Sequence, residues 1–285
     1  MTRLLTIRNA LAKKTSFFDI CNKIQDKIFS PIEFIGDVAI FFGKTLFWLF
    51  YKGCRRDTLV DSSYNIGVLS LPVVMLTGTF IGMVLAVQSY TQFRMVGLET
   101  RLGSMINMSL VRELGPVLAA TMLAGRVGSS VAAELGTMRV TEQIDALESM
   151  GTNPIYYLVV PRFLACLMLI PALTLMADFM GVIGGAFYGI TLLNIDWHYY
   201  WHFSGNFVGI YDVFIGVFKS FFFGIAIAIV SCYQGFHCAA GAEGVGKAAT
   251  VSFVMSFVII LFLDLVLGII METIYLALWP APTFV

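Results

Sequence analysis

Hydrophobic residues along this chain come in long runs rather than in an alternating pattern. Five apolar stretches, roughly 64–93, 103–127, 157–193, 213–235 and 250–278, each exceed the ~20 residues that a helix needs to cross a bilayer. A sixth, residues 32–50, is apolar but carries Glu33, Asp37 and Lys44. Three unshielded charges argue against a lipid-spanning helix, so this segment is predicted to be half-spanning or re-entrant. Ahead of it the pattern changes again. Phe17, Ile20, Cys21, Ile24 and Ile28 share one helix face, with Asp19, Asn22, Lys23, Asp26 and Lys27 elsewhere. Residues 1–30 therefore read as a basic amphipathic helix in the membrane interface plane, or as a soluble helix packed on a partner. Between the second and third long runs, residues 128–150 are polar and helix-prone.

The loops set a topology. Residues 195–212 contain no Lys or Arg but hold Asp196, Asp212, Trp197, Tyr199, Tyr200 and Trp201. That composition suits a non-cytoplasmic interface. Counting back puts 128–156 inside, 94–102 outside and 1–63 inside, with the basic cluster KGCRR (52–56) in the cytoplasm. The count closes only if 32–50 does not cross. The expected architecture is an all-α polytopic membrane protein with five transmembrane helices, a cytoplasmic N-terminus and a periplasmic C-terminus.

Composition agrees with that class and removes others. Hydrophobic residues are 58% of 285 and charged residues 13%, about half the charged share of a soluble domain. A formal net charge of zero gives nucleic-acid binding no support. The five cysteines lack a paired framework and read as reduced packing residues. No cleavable signal pattern is expected at the N-terminus. Cys232, His237 and Cys238 lack a fourth metal ligand. His198 and His202, an i, i+4 pair beside Asp196, lie in an interface-like stretch, so no metal site is expected.

Charges inside the apolar runs carry the candidate chemistry. Arg112 and Glu113 sit near the middle of 103–127, and Asp178, Lys219, Asp264 and Glu272 also lie within apolar segments. An ionisable group at bilayer depth costs ~2.5–3.5 kcal/mol on insertion scales, so it pairs or faces a wet cavity. Two readings stay open: an interhelical salt bridge with no ligand role, or a polar cavity for a charged head group beside apolar tails. Lys219, near a helix end, has a third: snorkelling to the interface. Pro116 should break its helix locally and free backbone carbonyls. Gly181, Gly185 and Gly189, at four-residue spacing, either allow close helix approach or are tolerated singly. GAEGVGKA (241–248) nearly matches a phosphate-binding loop, but Ala248 stands where a Mg²⁺-binding hydroxyl is needed and no strand precedes it. It reads as a Gly-rich turn between the last two helices.

The run RELGPVLAATMLAGRVGSSVAAELGTMRVTEQIDALESMGTNPIYYLVVPRFLA (112–165) strongly resembles the MlaE family of permeases, the membrane subunits of ABC systems that move lipids with MCE-domain proteins. VFKSFFFG (217–224), GAEGVGKAAT (241–250) and FLDLVLG (262–268) resemble family motifs too. The resemblance covers about residues 30–280 and leaves 1–30 as a separate interfacial segment ahead of a permease domain, 31–285. It implies two paired copies, each docking a cytosolic ABC ATPase that binds the ATP and Mg²⁺, and an MCE-domain partner. This chain would then hold no cofactor and no catalytic residue, and would sit in the inner membrane and move phospholipid or a related amphiphile between membranes. By the same resemblance, Arg112, Glu113, Lys219 and Asp264 match charged positions around the translocation cavity, with Gln88 and Tyr90 at its mouth. Residues 133–150, with Glu134, Arg139, Glu142, Gln143, Asp145 and Glu148, correspond to a coupling helix that inserts into the ATPase. Without the resemblance they would read as a solvated linker. Two other classes could use the same charges. An intramembrane lipid-modifying enzyme would use Glu113, His198 or Asp264 as acid or base, but needs a nucleophile–base pair at one depth. A proton-coupled secondary transporter would use Asp264 and Glu113, but should show inverted repeats, and none is clear.

Overall fold

A computed structural model describes residues 33–54, 56–98 and 101–278. The expected amphipathic segment 1–30 lies outside the described residues. Eight helical stretches follow in order: α1 (Glu33–Lys52), α2 (Arg56–Met95), α3 (Leu102–Val140), α4 (Gln143–Ser149), α5 (Ile155–Thr191), α6 (Trp197–Phe207), α7 (Ile210–Phe236) and α8 (Gly241–Leu278). Six of them, all but α4 and α6, are long and apolar enough to cross a membrane. The chain is an all-α polytopic membrane protein, and no strand occurs among the described residues.

The apolar runs fix the helices, because backbone polar groups in hydrocarbon must be satisfied within the segment. Packing then follows small residues. Helix α5 is central, with α2 on one side and α7 on the other, and the end of α3 packs on α7 and α8. Where α2 meets α5, backbone touches backbone. A Cβ at Gly78 would lie 2.5 Å from the Ala177 carbonyl oxygen, and Cβ atoms at Gly82 and Gly184 would overlap the carbonyl oxygens of Gly181 and Thr79. This is the close approach expected of small-residue helix faces in lipid.

Residues 33–52 form one uninterrupted helix and do not turn back as a hairpin. The bundle-facing side of α1 is aromatic, with Phe34 edge-on to Tyr233 at 5.4 Å, Phe41 near Phe236 at 5.7 Å, Phe42 near Phe163 and Trp48 near Tyr156. These partners belong to the start of α5 and the end of α7, which lie at one end of the bundle. Glu33, Asp37 and Lys44 are exposed, so the charges that argued against a lipid-spanning segment point away from the bundle.

Four local expectations need correction. Pro116 does not break α3: the helix widens into a π-turn at Leu110–Leu114, and Pro116 opens the next α-helical segment, where its missing N–H leaves no gap. The GAEGVGKA stretch is not a turn but the first two turns of α8, which starts at Gly241 with φ +87°. Ala242, Glu243, Lys247 and Ala248 favour helix, and Glu243 suits the positive end of its dipole. Residues 133–150 are not one helix. Helix α3 runs to Val140, the chain turns at Glu142 in the left-handed region (φ 58°), and α4 follows, seated by buried Ile144. Residues 195–212, read as a loop, contain α6, whose N-terminus is capped by Asp196 accepting from the His198 N–H.

Candidate functional site

The fully buried ammonium of Lys219 on α7 is held by two carboxylates from other helices. Its Nζ donates to Glu113 Oε2 at 2.6 Å and to Asp264 Oδ1 at 3.0 Å. Helix α7 presents Lys219 on its inner face beside buried Ser220 and Ile215. Glu113 is placed by the π-turn of α3. Gly268, one turn beyond Asp264 on α8, leaves the space against the lysine: a Cβ there would lie 3.7 Å from Nζ. Counting from Leu102 and Ile210, the ends of α3 and α7 on one side of the bundle, Glu113 and Lys219 lie about 16 and 14 Å in. That is near the middle of a ~30 Å hydrocarbon layer. Lys219 therefore does not snorkel: it is deep, enclosed and paired.

The enclosure is one-sided. Lys219 has no exposed side-chain surface, whereas the Glu113 side chain is 47% exposed and Asp264 24%. The triad presents its carboxylate side outward. A second group continues it along α8. Arg112 ion-pairs with Glu272 and lies over the Tyr275 ring at 5.9 Å, and Tyr211 packs on Tyr275 at 5.2 Å. Four predicted residues, Arg112, Glu113, Lys219 and Asp264, thus form one polar strip across α3, α7 and α8. Glu272, noted only as an apolar-segment charge, joins it, as do Tyr211 and Tyr275, which no sequence signal marked.

Gln88 and Tyr90 are not part of this strip. They lie on α2, which packs chiefly against α5. Gln88 is exposed, and Tyr90 packs among partly buried apolar residues with Arg94 over its ring at 5.9 Å. Three of the charged residues of 133–150 are paired. Glu134 meets Arg162 of α5 at 2.7 Å, and Arg139 pairs with Asp145 across the Glu142 turn, clasping α4 to the end of α3. Glu142, Gln143 and Glu148 are exposed and, among the described residues, make no ion pair. His198 and His202 stack ring on ring at 5.9 Å on α6. Among the described residues no group of three His, Cys, Asp or Glu is placed to hold a metal ion. Asp178 is buried on α5 with its Oδ1 unpartnered, pressed against Gly115.

Residues 59–270 match the family model described as Permease MlaE. The chain is 40% identical over 243 residues to a probable ABC transporter permease protein of Rickettsia felis, covering 85% of this chain and 94% of that protein. It is 37% identical over 214 residues to the intermembrane phospholipid transport system permease protein MlaE of Haemophilus influenzae, covering 75% and 82%. It is also similar to the protein trigalactosyldiacylglycerol 1, chloroplastic, of Arabidopsis thaliana, 38% identical over 213 residues, covering 75% and 61%.

Proposed function

This chain belongs to the MlaE permease family, and we propose that it is the membrane subunit of an ABC transporter that moves phospholipid or a related amphiphile between membranes. The Lys219–Glu113–Asp264 triad carries this reading. It is polar, sits at mid-depth, and is sealed on the lysine side while open on the carboxylate side. A second copy packed against that open side, along the exposed apolar face of α8 (Val254, Val258, Leu261, Leu265 and Ile269), would close a cavity with charged walls near the head group and apolar walls beside the tails. ATP and Mg²⁺ would be bound by a cytosolic ATPase, and an MCE-domain protein would pass lipid on.

The end of α3, the turn at Glu142 and α4 would be the coupling element. A short helix clasped by Arg139–Asp145 and seated on Ile144 moves with α3 as a rigid piece, and α3 carries Glu113. Nucleotide-driven displacement at α4 would thus reach the triad along one helix. Because Glu148 is exposed and pairs with nothing among the described residues, Glu148→Lys should leave the fold intact and sharply reduce lipid-stimulated ATP hydrolysis in the reconstituted complex. Unchanged stimulation would count against this assignment, and Glu142→Lys offers a second exposed position, at the turn before α4.

The proposed location is the inner membrane, with the N-terminus cytoplasmic and the C-terminus periplasmic. The placement of α1 supports this, because its aromatic contacts stay at one end of the bundle and leave five crossings. Reporter fusions after residues 55 and 285 should report inside and outside respectively. Any other pattern rejects this topology.

A further inference from the structure

Away from the triad, α2, α3 and α5 diverge to leave a cavity of about 550 Å³. Three separate π-turns supply parts of its wall. Asn65 and Ile66 come from Tyr64–Val68, Arg126 and Val127 from Ala124–Gly128, and Tyr157 and Leu158 from Ile155–Val159. A π-turn inserts an extra residue into a helix and occurs frequently at functional sites. Three of them on one cavity, in helices that elsewhere pack backbone to backbone, mark a space that is held open.

Arg126 supplies the cavity's chemistry. Its Nη1 donates to Ser70 Oγ at 2.6 Å and to the Asn65 carbonyl at 3.5 Å. Among the described residues its remaining N–H groups make no hydrogen bond and it pairs with no carboxylate. Arg112, Arg139 and Arg162 are each paired. A guanidinium has five donors in a fork that fits phosphate, and here most are left over. Asp61, one helical turn before Asn65 on α2, and the Arg162–Glu134 pair between α5 and α3 line the same cavity. The cavity lining therefore combines a guanidinium that has donors to spare with the carboxylate of Asp61, and is not a uniformly basic patch.

Depth decides what could fill it. Arg126 lies about 36 Å along α3 from Leu102 and about 20 Å beyond Glu113. That places it in the head-group region of the leaflet opposite Leu102, past the ~30 Å hydrocarbon layer. From the cavity wall an exposed apolar stripe runs back along α2 through Leu69, Val73, Leu76, Phe80 and Val84 at helical spacing. An apolar track that starts at a polar cavity of head-group depth has the shape of an amphiphile.

We infer that this cavity is a second lipid site, taking a zwitterionic phospholipid of that leaflet with its phosphodiester on Arg126, its amine on Asp61 and its acyl chains along the α2 stripe. It presupposes that the chain spans a membrane, not that it transports. With the orientation given above, the leaflet is the cytoplasmic one. Lipid held there stands beside α3, the helix that carries Glu113.

Full-length protein in nanodiscs containing a photoactivatable phosphatidylethanolamine, with the reactive group near the glycerol, tests this. Peptides spanning 62–70, 124–131 and 155–162 should be labelled, and Arg126→Gln should reduce that labelling about tenfold or more, the loss expected for a charged hydrogen-bonding group. Arg126→Lys should restore part of it, which separates ligation from misfolding. Labelling around Asp264 serves as the internal control and should not change. Asp61→Asn should weaken labelling by the phosphatidylethanolamine probe but not by a matching phosphatidylglycerol probe, which lacks the amine. Undiminished labelling of these peptides in Arg126→Gln overturns the proposal. So does protection of the site by inorganic phosphate as strong as by lipid, or cross-linking that shows residues 1–32 of the same chain occupying the cavity. A chain that fails in lipid transfer yet labels as described would reject the transport reading and leave this one standing.

Discussion

Lys219→Met is expected to abolish lipid transfer and to destabilise the bundle. The ammonium is fully enclosed and compensates two carboxylates at once. Removing one partner of a buried pair typically costs about 3–5 kcal/mol, because the remaining charge is left without compensation. Here the cost should fall at the lower end, since Glu113 is nearly half exposed and water or a second copy can screen it. Glu113→Gln alone should be milder for folding, because Asp264 still holds the lysine. The informative variant neutralises all three, Lys219→Met with Glu113→Gln and Asp264→Asn. It should unfold in detergent at close to the wild-type temperature, because no charge is stranded, yet remain inactive in transfer between donor and acceptor vesicles. If the triple variant transferred lipid normally, the triad would be an interhelical brace with no ligand role, and the proposed site would be lost.

How much of this was legible can be read from the same residues. The apolar runs placed the long helices, and a charge count within those runs marked Arg112, Glu113, Asp178, Lys219, Asp264 and Glu272, from which the family resemblance picked Arg112, Glu113, Lys219 and Asp264. Cost at depth is a property of each residue and its window, so it survives without a structure. Pairing does not. Lys219 meets partners 106 and 45 positions away, and no local pattern distinguishes it from a lysine that snorkels. Helix ends were misjudged where hydropathy stops but helix propensity continues. That is why α8 begins at Gly241 rather than near Thr250, and why α3 carries on to Val140. The break at Glu142 depends on one left-handed residue that is not glycine, and nothing in its sequence announces it. Gln88 and Tyr90 came to the candidate set from family position alone, and the packing of α2 on α5 leaves them apart from the strip. The Arg126 cavity escaped notice because π-turns have no compositional signature.

Gly82→Leu should be among the most damaging substitutions on α2, although no repeat or motif in the sequence marks Gly82. The repeat Gly181, Gly185, Gly189 was visible, but a repeat does not name its partner. In the fold the stripe divides. Gly181 and Gly185 face Gly82, while a Cβ at Gly189 would meet the Tyr200 ring of α6 at 3.3 Å. Opposite Gly82 the nearest atoms are all backbone: the carbonyl group of Gly181 and the amide nitrogen of Gly185. No side chain can swing aside, so even Gly82→Ala must push two helices apart. Overpacking usually costs about 1–3 kcal/mol, and more where the backbone itself must move. In lipid, where the contact rests on packing rather than on the hydrophobic effect, separating α2 from α5 also forfeits the neighbouring contacts at Gly78 and Gly184. Gly246→Ala provides the contrast, because nothing lies within 4 Å of a Cβ there. A helical Gly replaced by Ala in open space should gain about 0.5–1 kcal/mol. Thermal unfolding in detergent should therefore rank Gly246→Ala at or above wild type, Gly82→Ala below it and Gly82→Leu lowest or unrecoverable as folded protein. If Gly82→Leu unfolded with the wild type, α2 and α5 would not be in backbone contact, and the Arg126 cavity between them would need redrawing as well.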